Sequence, residues 1–473
     1  MSLARSIAYN TLLQTTAKIV STFFAILAFA MIARYLGTNG FGAYATITAF
    51  LQLFGIMVDM GLTVITIQMV SEAGADQHKN FRNLFTIRLL SGIVIYLIAP
   101  AIALLLPYPT DVKLGIAVMA PSFFLSSLIQ ISTARYQAEV KMLAPTIAEI
   151  ASKIVLIAGV AFIAQTDIGL MGVLAMILAN NAAQWLILVV WRGHWRWMRL
   201  AFDWSIWRDV FFRTWPIALS ILCNVVYLRA DTIILSLFRP QADVGIYGAA
   251  FRVLEVMMTL PIMFVGLTLS SFTRAWSQGD RPAFARYFQK TFDVMAITSF
   301  PLVVGTWFVG TDAMILVTGE EFAASGSVLK LLMIAVGAIF FGSLFGHLIN
   351  IIFEQRRMLI GYAAVAILGL GAYIVFIPIY SYYAAAIITI ATEFLVAFIG
   401  FGVFYYKTRV APSLLVAAKA VLSSAAMGIF LYAFPHWHLA AKVLMAIVVY
   451  GAILFITGGL TKDLIRALIG QKR

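Results

Sequence analysis

Residues 168–191 read IGLMGVLAMILANNAAQWLILVVW, a run that contains no charged side chain. A helix of about 20 apolar residues crosses the roughly 30 Å hydrocarbon core of a bilayer. The run is continuous rather than alternating, which argues against the strands of a membrane barrel. This stretch therefore predicts a transmembrane helix.

Similar apolar runs recur along the whole chain. Hydrophobic residues make up 62% of the 473 residues and charged residues only 11%, whereas soluble domains have about 45–50% apolar and about 25% charged residues. The single cysteine, Cys223, excludes a disulfide framework and a cysteine-rich metal site. We predict an all-α polytopic membrane protein with about fourteen transmembrane helices. The predicted spans are residues 10–33, 41–69, 84–106, 112–134, 143–164, 168–191, 215–238, 245–270, 292–317, 326–353, 358–378, 383–405, 412–434 and 439–460.

The lysines and arginines predict the orientation of these spans. The chain has 33 basic and 20 acidic residues, which gives a net charge of +13. If the N-terminus is inside, 22 basic residues fall in cytoplasmic segments, three fall on the opposite side (Arg34, Lys113 and Arg239) and eight lie within spans. This bias is the positive-inside signal, so both termini are expected in the cytoplasm. The excess of basic residues therefore indicates the orientation of the spans, and we expect no nucleic-acid partner.

A short internal match indicates a duplication. Phe41-Gly-Ala-Tyr44 is matched at an offset of 203 residues by Val244-Gly-Ile-Tyr247, and each segment opens a span after a short external loop. Six spans return the chain to its starting side, so the repeats have parallel topology, and we expect two six-helix lobes around a central cleft. The predicted domains are 1–191 (N-terminal lobe), 192–214 (amphipathic cytoplasmic linker), 215–405 (C-terminal lobe) and 406–473 (two appended spans and a cytoplasmic tail).

Two motifs resemble those of a known family. Residues 33–44 (ARYLGTNGFGAY), followed by Asp59-Met-Gly-Leu62, are similar to the N-terminal signature of the polysaccharide exporter family. Residues 318–332 (TGEEFAASGSVLKLL) are similar to the loop before its tenth helix. That family belongs to the MATE-like multidrug/oligosaccharidyl-lipid/polysaccharide superfamily and includes the Wzx-type O-antigen flippases. The resemblance implies a bacterial inner-membrane flippase with a V-shaped cavity and alternating access. Its substrate would be an undecaprenyl-diphosphate-linked oligosaccharide for O-antigen, capsule or exopolysaccharide synthesis.

Ionisable side chains inside spans cost about 2.5–3.5 kcal/mol each, so each one needs an explanation. Asn10, Gln14 and Lys18 recur at helical spacing in the first span. Asn224 and Asp231 repeat this polar stripe in the seventh span. Arg and Lys bind phosphate oxygens well, so cations from both repeats could hold a carrier diphosphate. The expected substrate-binding cations are Lys18, Lys153, Arg229, Arg252 and Arg88, the expected polar lining is Asn10, Gln14 and Asn224, and the candidates for ion coupling are Asp59, Glu149, Asp231 and Glu255.

Structural roles compete for the same residues. The Asn, Gln and Ser members of the stripes could bond neighbouring helices instead of lining a cavity. Three pairs of opposite charges could simply neutralise each other. These pairs are Glu149 with Lys153, Arg229 with Asp231, and Arg252 with Glu255. Four cations, Arg88, Lys330, Lys419 and Lys442, lie within reach of an interface and could extend their charge to water.

The sequence contains no pattern typical of an enzyme. A GxxxxGK[ST] phosphate loop is absent and the five histidines lack zinc-ligand spacing, so we expect no cofactor, no metal and no ATPase activity. An ion gradient or the membrane potential would supply the energy, and the potential favours outward movement of an anion by about 2.3 kcal/mol per charge per 100 mV. The alternatives are a peptidoglycan lipid-precursor flippase, a cation-coupled multidrug antiporter and a non-transporting scaffold for polysaccharide enzymes. Expected partners are membrane lipids, the lipid-linked oligosaccharide, a polysaccharide polymerase and glycosyltransferases.

Overall fold

The computed structural model describes the backbone of residues 3–72, 76–191 and 198–460, and the side chains of residues 20–72, 76–191, 198–215 and 229–460. The described backbone contains helices and no β-strand, which confirms the predicted all-α class. The helices are α1 (Leu3–Asp59), α2 (Leu62–Ser71), α3 (Gln77–Leu105), α4 (Thr110–Ala138), α5 (Leu143–Ile163), α6 (Leu170–Val190), α7 (Trp204–Phe238), α8 (Gln241–Ser277), α9 (Arg281–Thr318), α10 (Ala323–Ile351), α11 (Gln355–Thr408), α12 (Leu415–Ala433) and α13 (Leu439–Ile456).

The predicted spans lie on these helices, with two long helices each carrying two spans. Among the described residues, 11 helical stretches are long and apolar enough to cross a membrane. Helix α1 has a kink at Gly37 (φ 62°), and α11 has one at Ser381 (φ 53°). The 54 residues of α11 would form a straight helix about 80 Å long. Because the hydrocarbon core is only about 30 Å thick, the chain must turn at the kink to make two crossings.

The chain divides into two compact units, residues 1–245 and 246–473. In the first unit, α1 packs against α3, α4, α5, α6 and α7, and α4 packs against α3 and α6. The buried side chains of Ile47, Ala99, Ile116 and Leu174 bring α1, α3, α4 and α6 together in one core cluster. Helix α7, which the sequence repeat assigns to the C-terminal lobe, packs against α1, α2 and α3 of this unit. The lobe boundaries come from the repeat rather than from packing, and they stay a prediction.

Within the first unit, α1 meets the start of α8 at a pair of glycines. A Cβ atom on Gly42 would overlap the carbonyl oxygen of Gln241, and one on Gly245 would overlap the carbonyl oxygen of Thr38. The hydroxyl of Thr46 donates to Gln241 Oε1 at 2.7 Å beside this contact. The 203-residue offset of the repeat relates Gly42 to Gly245 and Thr38 to Gln241. The matching segments of the two repeats therefore contact each other reciprocally, backbone against backbone.

In the second unit, α10 is the central helix. It packs against α9 and α11, and 61% of its most apolar stretch is buried. The two last helices pack on α9, where Met427 and Ala446 form a small buried cluster. Lys442 Nζ on α13 donates to Asp312 Oδ2 on α9 at 2.7 Å, and the Lys442 side chain is 9% exposed. Lys442 is therefore paired inside the protein, and the expectation that it extends to water is wrong.

Candidate functional site

The second predicted span is interrupted by two residues with a left-handed backbone. Met60 (φ 42°) and Gly61 (φ 80°) separate the end of α1 at Asp59 from the start of α2. A broken helix leaves backbone groups without helical partners, and inside a membrane other protein groups must satisfy them. The Asp59 carboxylate bridges the break, since Oδ2 accepts from the Gly61 N–H at 3.1 Å and Oδ1 accepts from the Thr63 hydroxyl. The motif Asp59-Met-Gly-Leu62 thus encodes a helix break that its own aspartate stabilises.

Arg88 on α3 completes the structure of the break. Its side chain is fully buried, and Nη1 donates to Asp59 Oδ1 at 2.7 Å and to the Val58 carbonyl at 3.0 Å. Nε donates to the Ser127 carbonyl at 3.2 Å, and Nη2 donates to Gln130 Oε1 at 2.8 Å. A buried charge is tolerated when it is paired and hydrogen-bonded, as it is here. Arg88 therefore neutralises Asp59 and ties α3 to α1 and α4, and it does not extend to water.

A cavity of about 450 Å³ lies beside this cluster in the first unit. Its size falls within the range of about 300–1,000 Å³ that is usual for small-molecule sites. Asp59, Arg88 and Arg229 line it together, so three residues selected from the sequence meet here. The charged groups of the lining are one carboxylate and two guanidinium groups, with a formal charge of +1. The other polar and aromatic lining residues are Gln52, Tyr96, Phe123, Ser126, Ser127 and Gln130.

Sequence analysis missed Gln52, Tyr96 and Gln130 because it concentrated on ionisable groups in these spans. An amide buried without a partner also costs free energy, so a glutamine in an apolar span is itself a signal. That signal could have found Gln52 and Gln130. Tyr96 carries no comparable signal, because its ring fits a buried apolar run and only the fold shows that it reaches the cavity.

The remaining candidates of the first unit lie on α1, α5 and α7. Ser21 donates to Glu149 Oε1, which joins α1 to α5, and Lys153 is half-buried one helical turn further along α5. Asp231 is buried, and its Oδ1 accepts from the backbone N–H and the hydroxyl of Thr232. The side chains of Asn10, Gln14, Lys18 and Asn224 lie outside the described residues. Their binding roles stay predictions.

In the second unit, Arg252 and Glu255 of α8 form an ion pair. Arg252 Nη1 donates to Glu255 Oε2 at 2.7 Å, and the side chains are 49% and 23% exposed. This contact has the geometry expected for mutual neutralisation.

The segment before the seventh span docks on the start of α3. Asp203 Oδ2 forms an ion pair with Lys79 Nζ at 2.6 Å. Asn83 Oδ1 accepts from the Asp203 backbone N–H at 2.8 Å and from the Trp207 indole N–H at 3.1 Å. The bond with Lys79 lowers the pKa of the Asp203 carboxyl, and the same bond raises the pKa of Lys79. Electrostatic and hydrogen-bond contacts therefore hold the beginning of α7.

The apolar helices define a multi-pass membrane protein, and their arrangement is similar to that of solved transporters. The lipid II flippase MurJ, in an inward closed conformation, aligns with 96% of this chain and 99% of its own at a TM-score of 0.79 and 15% identity. An inward-facing multidrug resistance MATE family transporter of the MOP superfamily aligns with 82% of this chain and 94% of its own, at a TM-score of 0.65 and 14% identity. A MOP superfamily transporter from Pyrococcus furiosus aligns with 86% of this chain and 95% of its own, at a TM-score of 0.55 and 13% identity.

The family of the chain follows from its sequence. The chain belongs to the polysaccharide biosynthesis protein family, whose sequence profile matches residues 31–327. This match confirms the resemblance carried by the motifs at residues 33–44 and 59–62. No curated protein matches the chain. Because the structural likenesses lie at 13–15% identity, they show the fold alone.

Proposed function

We propose that the protein is a flippase that moves an undecaprenyl-diphosphate-linked oligosaccharide from the cytoplasmic to the outer leaflet of a bacterial inner membrane. The product would feed O-antigen, capsule or exopolysaccharide synthesis. The observation that carries this proposal is the cavity of the first unit, where a broken helix, Arg229 and several amide and hydroxyl groups meet in a protein of the polysaccharide biosynthesis family. A polar head group needs such a cavity to cross the hydrocarbon core, whereas the polyprenyl tail can stay in the bilayer.

The charges divide into two roles in this proposal. Lys18, Lys153, Arg229 and Arg252 contact the diphosphate, because guanidinium and ammonium groups form charge-assisted hydrogen bonds with phosphate oxygens. Arg252 exchanges the half-buried Glu255 carboxylate for phosphate. Arg88 is a positioning residue, since its guanidinium is engaged by Asp59, Gln130 and two backbone carbonyls.

The energy source and the partners follow from the same proposal. Alternating access of the two lobes carries the head group outward, and a negative-inside potential favours this by about 2.3 kcal/mol per charge per 100 mV. Asp59, Glu149, Asp231 and Glu255 are the candidates for additional coupling to an ion. The released substrate is consumed by a polysaccharide polymerase, and glycosyltransferases supply it.

Reconstitution of the full-length protein tests the proposal. Lipid-linked oligosaccharide from the host is placed in both leaflets of liposomes, and membrane-impermeant periodate reports the fraction that becomes accessible from outside. The wild-type protein should expose the inner-leaflet pool, and Arg229→Gln and Arg252→Gln should slow this step. Exposure no faster than in protein-free liposomes contradicts the proposal.

A second candidate function is transport of the peptidoglycan lipid precursor. The observation that favours it is the alignment over almost the full length of a protein described as a lipid II flippase. Running the same assay with lipid II separates the two functions. Exposure of lipid II without exposure of the oligosaccharide would favour the second candidate.

A further inference from the structure

The first part of α7, before the predicted span at 215–238, has one face docked on the protein and one face exposed. Val210 and Thr214 are buried, and Val210 packs in a core cluster with side chains of α2, α3 and α4. The Trp207 indole N–H bonds Asn83 on the same side. The opposite side carries exposed residues at intervals of four, three, one and three, which is the spacing of a single helix face. Its members are Trp204, Arg208, Phe211, Phe212 and Trp215.

The aromatic rings of this exposed face indicate contact with lipid. The four aromatic side chains of the face are 54–79% exposed. A cluster of large exposed rings is unfavourable in water and is typical of the interface between a bilayer and water. Because α7 runs as one helix from Trp204 to Phe238, the face lies directly before the predicted span. The bilayer interface therefore covers this face.

The position of Arg208 along the helix matches the depth of lipid phosphates. Phe211 and Phe212 extend the apolar surface one turn beyond Trp215. At a rise of 1.5 Å per residue, Arg208 lies about 6 Å outside Phe212. The head-group layer extends about 5–7 Å beyond each side of the hydrocarbon core. A cation at this position is expected to meet phosphate oxygens.

A cavity of about 450 Å³ lies on this face, lined by Trp204, Ser205, Arg208, Asp209 and Phe212. The Arg208 guanidinium lies over the Phe212 ring, 5.7 Å from its centroid, and no carboxylate among the described residues forms an ion pair with it. The Asp209 carboxylate is held by Arg213, whose Nε donates to Oδ1 at 3.0 Å. Arg213 also bonds Glu72 Oε1 at 2.8 Å. The nearby carboxylates are thus engaged elsewhere, and the N–H donors of Arg208 are available to a ligand.

We propose that the exposed face of α7 binds an anionic phospholipid of the inner leaflet, whose phosphate contacts the Arg208 guanidinium between Trp204 and Phe212. Guanidinium groups form charge-assisted hydrogen bonds with phosphate oxygens. A soluble peptide would have to displace lipid from the aromatic rings, whereas a phospholipid satisfies both the rings and the cation. The inference uses the predicted cytoplasmic side of this segment and is independent of the transported substrate.

Quenching by two labelled lipids tests the site. Full-length protein with Cys223→Ser carries a fluorophore at Phe211→Cys, which lies on the face but outside the cavity lining. Phosphatidylcholine nanodiscs contain an equal minor fraction of phosphatidylglycerol or phosphatidylcholine with a nitroxide near the head group. Phosphatidylglycerol should be preferred about two- to five-fold, as expected for one basic residue at an anionic surface.

Three variants at arginines assign this preference. Arg208→Gln should abolish the preference for phosphatidylglycerol, so that both lipids quench equally. Arg208→Lys should retain most of it, because the point charge remains. Arg274→Gln, the same change at an exposed arginine of α8, should leave it unchanged. If the label at residue 211 prevents folding, Ser205→Cys carries the fluorophore instead.

Several outcomes would overturn the proposal. Absence of quenching by either lipid would show that the face is outside the bilayer. Equal quenching in the wild type, or a preference that survives in Arg208→Gln, would remove Arg208 as an anionic-lipid contact. Displacement of the nitroxide lipid by undecaprenyl diphosphate, but not by unlabelled phosphatidylglycerol, would assign the face to the transported lipid instead. The transport assay of the proposed function is separate, so its failure and the failure of this site are distinguishable.

Discussion

At the scale of single residues, Arg88 and Asp59 show how a charge is kept inside this membrane protein. Removal of one partner of a buried ion pair leaves the other uncompensated, at a cost of about 3–5 kcal/mol. We expect Arg88→Gln and Asp59→Asn each to lower the free energy of unfolding by about this amount, and the double variant to recover much of it. Unfolding of the purified protein in detergent measures the effect.

The matched control for this pair is Lys419→Gln. Lys419 Nζ donates to the Gly458 carbonyl from an exposed position, so loss of its charge should change stability little. Wild-type stability in Arg88→Gln would show that the buried pair is not what stabilises the helix break. An unrescued double variant would point instead to the bonds that Arg88 makes with Val58, Ser127 and Gln130.

Arg252 distinguishes a substrate contact from a structural one. In the structure Arg252 pairs with the half-buried Glu255 carboxylate, and removal of one partner leaves the other unpaired. A charge-assisted bond to diphosphate contributes about 1.5–3 kcal/mol, which predicts a roughly ten- to hundred-fold loss of binding. We expect a strong export defect in Arg252→Gln that persists in the double variant with Glu255→Gln. Cell-surface polysaccharide at matched protein levels is the measurement, and full rescue by the double variant would assign Arg252 to structure.

At the scale of helices, the glycine contact between α1 and α8 leaves no room for a side chain. Gly42→Ala would place a methyl group against the Gln241 carbonyl, and backbone cannot rotate away as a side chain can. We expect a loss of about 1–3 kcal/mol, as for other overpacked contacts, and a similar loss for Gly245→Ala. Gly402→Ala on α11 is the control, because nothing lies within 4 Å of its Cβ position. Equal thermal stability of the Gly42 and Gly402 variants would contradict the close contact.

The start of α7 should respond to pH through its bond to α3. The pKa of Asp203 is lowered by Lys79, so its contribution is present above the unfolded pKa near 4 and is lost as the pH falls through the lower, folded value. The pKa of Lys79 is raised, so its contribution is present below about pH 10 and is lost at higher pH. Hydrogen-exchange protection of residues 198–210 should therefore be greatest between these limits.

Two variants separate the ion pair from the helix cap at this position. Asp203 also accepts from the backbone N–H of Ser205 at 3.0 Å, as an N-cap residue does. Asp203→Asn keeps a capping oxygen without the charge, and Lys79→Gln removes the partner. Both should flatten the pH dependence of protection, whereas Asp203→Ala should lower protection at every pH. Unchanged pH dependence in Lys79→Gln would exclude the ion pair as its cause.

At the scale of the whole molecule, the distribution of basic residues predicts the membrane topology. The 22 to 3 distribution of lysine and arginine predicts that both termini and the 192–214 segment lie in the cytoplasm. Reporters fused after Arg473 and within residues 192–214 should read cytoplasmic, and one within residues 318–326 should read external. An external C-terminus would mean that the number of crossings is odd, against the fourteen predicted.

The apolar runs by themselves determined the helical class and the approximate positions of the spans. The physical reason is that the bilayer is one solvent for the whole chain, so the length and hydropathy of a segment decide whether it crosses. The offset of 203 residues also matched the two segments that contain Gly42 and Gly245, whereas their contact is visible only in the structure. These features depend on local sequence.

Only the tertiary structure decided which polar side chains meet. Arg88 bonds Asp59 and Gln130, which lie 29 and 42 residues away in the sequence, and Lys442 finds Asp312 at a separation of 130. Such pairs depend on which faces of distant helices pack together, and hydropathy does not contain that information. The broken backbone at Met60 and Gly61 was also not predicted, since the continuous apolar run predicts an unbroken helix there. Partner choice inside the membrane is set by packing, because an unpaired polar group cannot turn to water.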